Sequence, residues 1–152
     1  MIKTWIKRLW MGNSAENHPQ PNSQVKESDV MENKEDYLIN HDTIEQIVKD
    51  TSLEVLPILI KNYLEEATLR TTNILNAMDK QDFETLEFEA HTLGSTSLAM
   101  GATGLGLLAR KIETVCLNGT PDKALDHKME FKQLAEQSKI AFSKILERTN
   151  AQ

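Results

Sequence analysis

Residues 82–117 read DFETLEFEAHTLGSTSLAMGATGLGLLARKIETVCL, and their spacing decides the fold. Asp82 suits an N-cap. Phe83, Leu86, Ala90, Leu93, Ser97 and Met100 then recur at intervals of three and four, one continuous core face of an α-helix. Gly101 breaks that helix, and Leu105, Leu108, Ile112 and Val115 repeat the pattern in the next. His91 points about 130° away from the mean direction of the core face, at about 100° per residue. Its imidazole is therefore expected to face solvent midway along a helix, where no cap or turn accounts for it. Gly94, one turn on, is unusual, because a mid-helix glycine costs about 1 kcal/mol relative to alanine. Ser95, Thr96, Ser97 and Ala99 continue a run of small side chains that leaves the ring open to a bulky partner. Phe88 and Leu98 share the outward sector and would form an apolar patch around it. The alternative is that both pack on a neighbouring helix.

The flanking segments are also helical. Asp42 and Glu45 have capping-box spacing and open a short helix through about Asp50. A second helix is expected from about Ser52 to Met78, with Leu56, Ile60, Tyr63, Ala67, Ile74 and Met78 on its apolar stripe. Pro57 lies in its first turns, where a missing N–H costs least. Asp79-Lys80-Gln81 forms a turn. Further on, Asn118-Gly119 stops a helix and Thr120-Pro121 starts another, with Thr120 as N-cap. That last helix is expected from Pro121 to about Arg148, burying Leu125, Leu134, Ala141 and Ile145. Short loops between four long helices favour antiparallel neighbours. The prediction is an all-α fold over residues 37–149, an antiparallel up-down four-helix bundle with a short N-terminal covering helix.

Composition agrees with one domain of this class. The 152 residues include only six glycines, four prolines and 5% aromatics, too few turn formers for a sandwich or barrel. The net charge of −6 excludes a general nucleic-acid binder. A single cysteine, Cys116, excludes an internal disulfide framework and a Cys-rich zinc site. No apolar run approaches the ~18 residues of a membrane span, so a cytoplasmic protein is expected. Residues 12–36, GNSAENHPQPNSQVKESDVMENKED, are polar without periodicity and read as a flexible linker. Before it, residues 1–11 place Ile2, Trp5, Ile6 and Leu9 at helical spacing beside Lys3, Lys7 and Arg8. Such a basic amphipathic helix suits an anionic membrane surface. The plainer reading is a tail, or a start codon placed too early, with Met11 and Met31 as alternatives.

Among the four histidines, His18 falls in the linker, while His41 and His127 have only surface neighbours in sequence. His91 remains. The segment from Ala90 to Glu113 resembles the signature of histidine-containing phosphotransfer (HPt) domains, A-H-x-L-K-G-[SA], then a Gly-Ala hinge, leucines and a closing Leu-Glu. Ala90, His91, Leu93, Gly101, Ala102, Leu105, Leu108, Ile112 and Glu113 fall in register without a gap. A looser likeness extends over residues 38–148. The resemblance implies that His91 accepts a phosphoryl group from a receiver-domain aspartate and passes it on in a two-component phosphorelay. Implied partners are receiver domains of a hybrid sensor kinase or a response regulator. The implied protein is a monomeric carrier needing no cofactor and no ATP site.

Two positions depart from the family pattern. Its lysine three residues after the histidine is Gly94 here, and its next glycine is Ser95. Small size is kept at this point, but the cation expected beside the phosphoryl oxygens is missing. Glu87, one turn before His91, is the candidate to hold the ring's other N–H, against the alternative of a solvated glutamate.

Other classes fit less well. A histidine kinase needs an ATP-binding loop, and no G-x-x-x-x-G-K-[ST] occurs. A di-iron bundle needs inward Glu-x-x-His motifs, whereas the residue three before His91 is Phe88. A phosphorylation-independent adaptor using the same face stays open at this point.

Overall fold

The computed structural model describes residues 36–151. The helix expected over residues 1–11, and the expected linker apart from its last residue, lie outside them. The described elements are α1 (His41–Asp50), α2 (Leu56–Lys80), α3 (Phe83–Met100), α4 (Thr103–Leu117), a 3-10 helix (Pro121–His127) and α5 (Lys128–Asn150). Helices α2 to α5 form the expected four-helix bundle. Each packs on its neighbours in chain order, and α5 closes against α2. Helix α1 covers one end, where the Asn40 N–H donates to the Gly101 carbonyl at 2.7 Å.

The ends of the central helix pair are set by single residues. The Asp82 side chain caps α3 by accepting from the Thr85 N–H at 3.2 Å and from its hydroxyl at 2.7 Å. Gly101 ends α3 at φ 86°, a left-handed conformation that favours glycine. The α2–α3 and α3–α4 connections are only two residues long, Gln81-Asp82 and Gly101-Ala102, so these helices run back to back.

The core is apolar. Leu56, Ile60 and Ile74 of α2, Leu86, Ala90 and Leu93 of α3, Leu105 and Ile112 of α4, and Phe131 and Phe142 of α5 are buried. Ser97 on the core stripe of α3 is satisfied there by the Tyr63 hydroxyl at 2.9 Å. Burial raises the Tyr63 phenol above its ordinary value, although the Ser97 hydrogen bond opposes the shift. Ala67, Phe83, Met100, Val115, Leu125 and Ala141 are half-buried at the margin of this core.

Three boundaries differ from the sequence-based expectation. Asn40, not Asp42, caps α1, its Oδ1 accepting from the Thr43 N–H at 2.9 Å. Ser52 to Val55 form a turn, with a Val55 N–H to Ser52 C=O bond at 3.2 Å, so α2 begins at Leu56 and runs on to Lys80. Residues 121–127 are a 3-10 helix rather than the first turns of α5. Three residues per turn instead of 3.6 rotates the phase at which α5 starts. The buried stripe of α5 runs through Phe131, Leu134, Ser138, Phe142 and Ile145, keeping the expected Leu134 and Ile145 and adding the two phenylalanines.

Candidate functional site

His91 lies midway along α3 with its side chain 56% exposed, on the side of α3 that meets α4. Three polar residues surround it. Glu113 of α4 places Oε1 2.8 Å from His91 Nδ1. Arg110, one turn earlier on α4, donates from Nη1 to Glu113 Oε2 at 2.9 Å and from Nη2 to Ser95 Oγ at 2.8 Å. Ser95 in turn donates its hydroxyl to the His91 carbonyl at 3.0 Å. Arg110 Nη1 also lies 3.0 Å from His91 Nδ1.

Those two approaches to Nδ1 require different tautomers. A protonated Nδ1 donates to Glu113, whereas a bare Nδ1 accepts from Arg110. The charge on Glu113 decides between them. Burial works to raise the Glu113 carboxyl, but hydrogen bonds from His91 and Arg110, with their charges, outweigh it and hold it below the ordinary carboxylate value. An ionised carboxylate accepts only, and charge-assisted hydrogen bonds are the stronger kind. The favoured arrangement is thus Nδ1–H donating to Glu113, with the ring's lone pair on Nε2. Chemically, this is an exposed imidazole whose tautomer and orientation are set from its rear edge.

The other candidate residues divide between this cluster and its surroundings. Phe88 is 62% exposed and carries the Arg70 guanidinium 5.9 Å from its ring centroid. Leu98 is at the edge of exposure, and its side chain lies over Gly106. Leu107, one turn before Arg110 on α4, adds a third exposed apolar side chain that the sequence pattern did not single out. Ser95 joins the cluster. Glu87 does not hold the ring's N–H: that partner is Glu113, and Glu87 instead adds a charge beside Cys116 that, after burial, helps raise the thiol. The reason lies in helix crossing, since Glu113 arrives from the opposing helix at the depth of the ring's rear nitrogen.

Gly94 is buried, not open. The aliphatic arm of Arg110 lies across it, so that a Cβ built at Gly94 would meet Arg110 Cγ and Cδ at 3.1 Å. A cation therefore does stand beside the histidine, brought by α4. Neither Arg110 nor the partner role of Glu113 was found from sequence. The available signals were their i,i+3 spacing, which pairs them on one helix face, and the glycine on the helix opposite.

The site is thus an exposed histidine on a four-helix bundle, with its rear nitrogen held by a carboxylate. The family model described as "Hpt domain" matches residues 58–148, and the chain belongs to that family. Among solved structures it is similar to histidine-containing phosphotransfer protein B (HptB) from Pseudomonas aeruginosa PAO1. That likeness has a TM-score of 0.67 at 17% identity, over 72% of this chain and 95% of the other. At that identity it speaks for the fold. No curated protein matches the chain by sequence.

Proposed function

We propose that this protein relays a phosphoryl group between receiver-domain aspartates through a phosphohistidine at His91. The observation that carries the proposal is the exposed imidazole held at Nδ1 by the Glu113 carboxylate. The Nε2 lone pair attacks the phosphorus of the receiver's aspartyl phosphate. The P–O bond to aspartate breaks, and its electron pair leaves with the carboxylate. The ring becomes a phosphoimidazolium, its Nδ1–H still donating to Glu113. Return transfer reverses each step. Phosphoryl transfer needs positioning and charge neutralisation more than covalent machinery, so a rigid bundle with one oriented nucleophile suffices. Phe88 and Leu98, with Leu107, form the apolar rim on which a receiver domain of a hybrid sensor kinase or response regulator docks.

The test is transfer from a panel of receiver domains phosphorylated by a small acyl phosphate. At least one should label the protein in an acid-labile, base-stable form, and His91→Ala should abolish that label while leaving helical content unchanged. Incubation with ATP alone should give no label. Label that persists in His91→Ala would defeat the site assignment. Receiver binding without any transfer would support the phosphorylation-independent adaptor instead.

A further inference from the structure

Taking the phosphotransfer reading as given, we infer that Arg110 is the cation that holds the phosphoryl group on His91, and that Gly94 is the gap through which its arm crosses α3. The dianionic group would otherwise arrive beside an ionised Glu113, and like charges at that range repel. Arg110 already neutralises Glu113 through Nη1. Its other amine, Nη2, is spent on the neutral Ser95 hydroxyl. That bond is the exchangeable one. Ser95 Oγ keeps its own hydrogen bond to the His91 carbonyl, so Nη2 can trade it for a phosphoryl oxygen without stranding a polar atom. The Arg110 side chain is 38% exposed, so it has room to turn. A planar fork that keeps one amine on a carboxylate and offers the other to a phosphate is a geometry arginine supports and lysine does not.

The same packing accounts for Gly94. A Cβ there would press on Arg110 Cγ and Cδ at 3.1 Å and on Nε at 3.3 Å, so the arm would have to give by a few tenths of an ångström, and a longer side chain at 94 would compete with it for the same space. A cation reaching the site from residue 94 and one reaching it from residue 110 are therefore alternative routes to one position. The absence of a lysine at 94 is a relocation of charge rather than a loss.

The second ionisation of the phosphoryl group reports the charge beside it, because a nearby cation favours the dianion. Treating the full chain with potassium phosphoramidate transfers a phosphoryl group to exposed imidazoles with release of ammonia. The His91 signal in phosphorus NMR is the one missing from His91→Ala, which separates it from labelling at His18, His41 or His127. Its titration midpoint should rise by about 0.5 pH unit, a threefold change in ionisation constant, in Arg110→Ala. Arg110→Gln, which keeps amide donors without the charge, should shift it the same way. Gly94→Lys combined with Arg110→Ala should bring it back to within about 0.2 unit, since truncating Arg110 clears the space that the new side chain needs. A midpoint equal in the wild type and in both single variants, with the bundle's melting intact, would overturn the assignment of Arg110. Failure of the double variant to restore it would overturn the exchange of positions. No His91-dependent signal in the wild type, with no transfer from any receiver, would defeat the phosphotransfer reading itself.

Discussion

Glu89 and Glu113 each meet an arginine against α3, one on its α2 side and the other on its α4 side. Glu89 is 7% exposed and fully engaged: Arg70 Nη1 donates to Oε2 at 3.0 Å and Asn73 Nδ2 to Oε1 at 3.2 Å. Arg70 is further tied to Glu66 at 3.3 Å. Arg70 Nε, Arg70 Nη1 and Asn73 Nδ2 all end on carboxylates within the bundle. The Glu113 cluster has the same carboxylate and the same arginine, but one of its members is an imidazole with a second nitrogen to offer. It also places an arginine amine on a hydroxyl that has another partner. A closed ion cluster locks two helices together. An open one leaves a ring nitrogen and an exchangeable arginine amine at the surface.

The contrast predicts opposite outcomes for equivalent substitutions. Glu89→Ala leaves Asn73 without its carboxylate and Arg70 with Glu66 alone, and should lower unfolding free energy by about 2–3 kcal/mol, less than the ~3–5 kcal/mol of a fully buried broken pair because Arg70 keeps Glu66 and some access to water. Denaturant melts measure this. Phosphoryl acceptance at His91 should survive under conditions where the variant is folded. Loss of transfer in a folded Glu89→Ala would break the division between the two clusters.

Glu113→Ala should do the reverse. Without its carboxylate, Nδ1 loses its acceptor and Arg110 is left as its polar neighbour, favouring the tautomer that carries the proton on Nε2. Transfer from a phosphorylated receiver should slow by about 10–100-fold, taking the size of effect known for removing the carboxylate that orients a metal-bound histidine. Single-turnover transfer rates would show it, with a much smaller change in melting than Glu89→Ala gives.

The apolar rim sharpens the comparison further. Phe88 sits on the turn between the two clusters, exposed beneath Arg70. Phe88→Ala should weaken receiver binding by about 1–2 kcal/mol with little loss of stability. Titration calorimetry and melting together decide it. A loss of several kcal/mol in stability would mean that Phe88 belongs to the fold.

The smallest expected effect concerns acid. Because the folded-state value of Glu113 is held below that of the unfolded chain, its contribution to stability is present above the unfolded value. It disappears as pH falls through the folded one. Melting followed from neutral pH to below about pH 4.3, the ordinary glutamate value, should therefore fall less steeply in Glu113→Gln than in the wild type. Parallel curves would show that the carboxylate is not specially stabilised by His91 and Arg110.

Much of this molecule is written in local sequence. Intervals of three and four placed the core faces of α2, α3 and α4, Asp82 and Gly101 marked the ends of α3, and the same periodicity turned His91 outward. These are legible because a helix converts neighbours in sequence into neighbours on one face, and because caps act within a turn. On α5 the periodicity placed Leu134 and Ile145 in the core but missed Phe131 and Phe142, since the 3-10 segment at Pro121–His127 turns the chain by a different angle per residue before α5 begins. The partners of His91 were not legible. Glu113 and Arg110 stand 22 and 19 residues away, and nothing local fixes how deeply one helix lies against the next. The tighter approach of α4 to α3 is at Gly106 over Leu98, while Gly94 lets the Arg110 arm pass, so the glycine that looked like a missing charge in one dimension becomes the passage for a charge in three. The amino-acid pattern by itself determined a helical bundle with an outward histidine. Only the packing of α3 on α4 decided which nitrogen of that histidine is held, and which cation stands beside it, because both depend on side chains that meet across helices rather than along them.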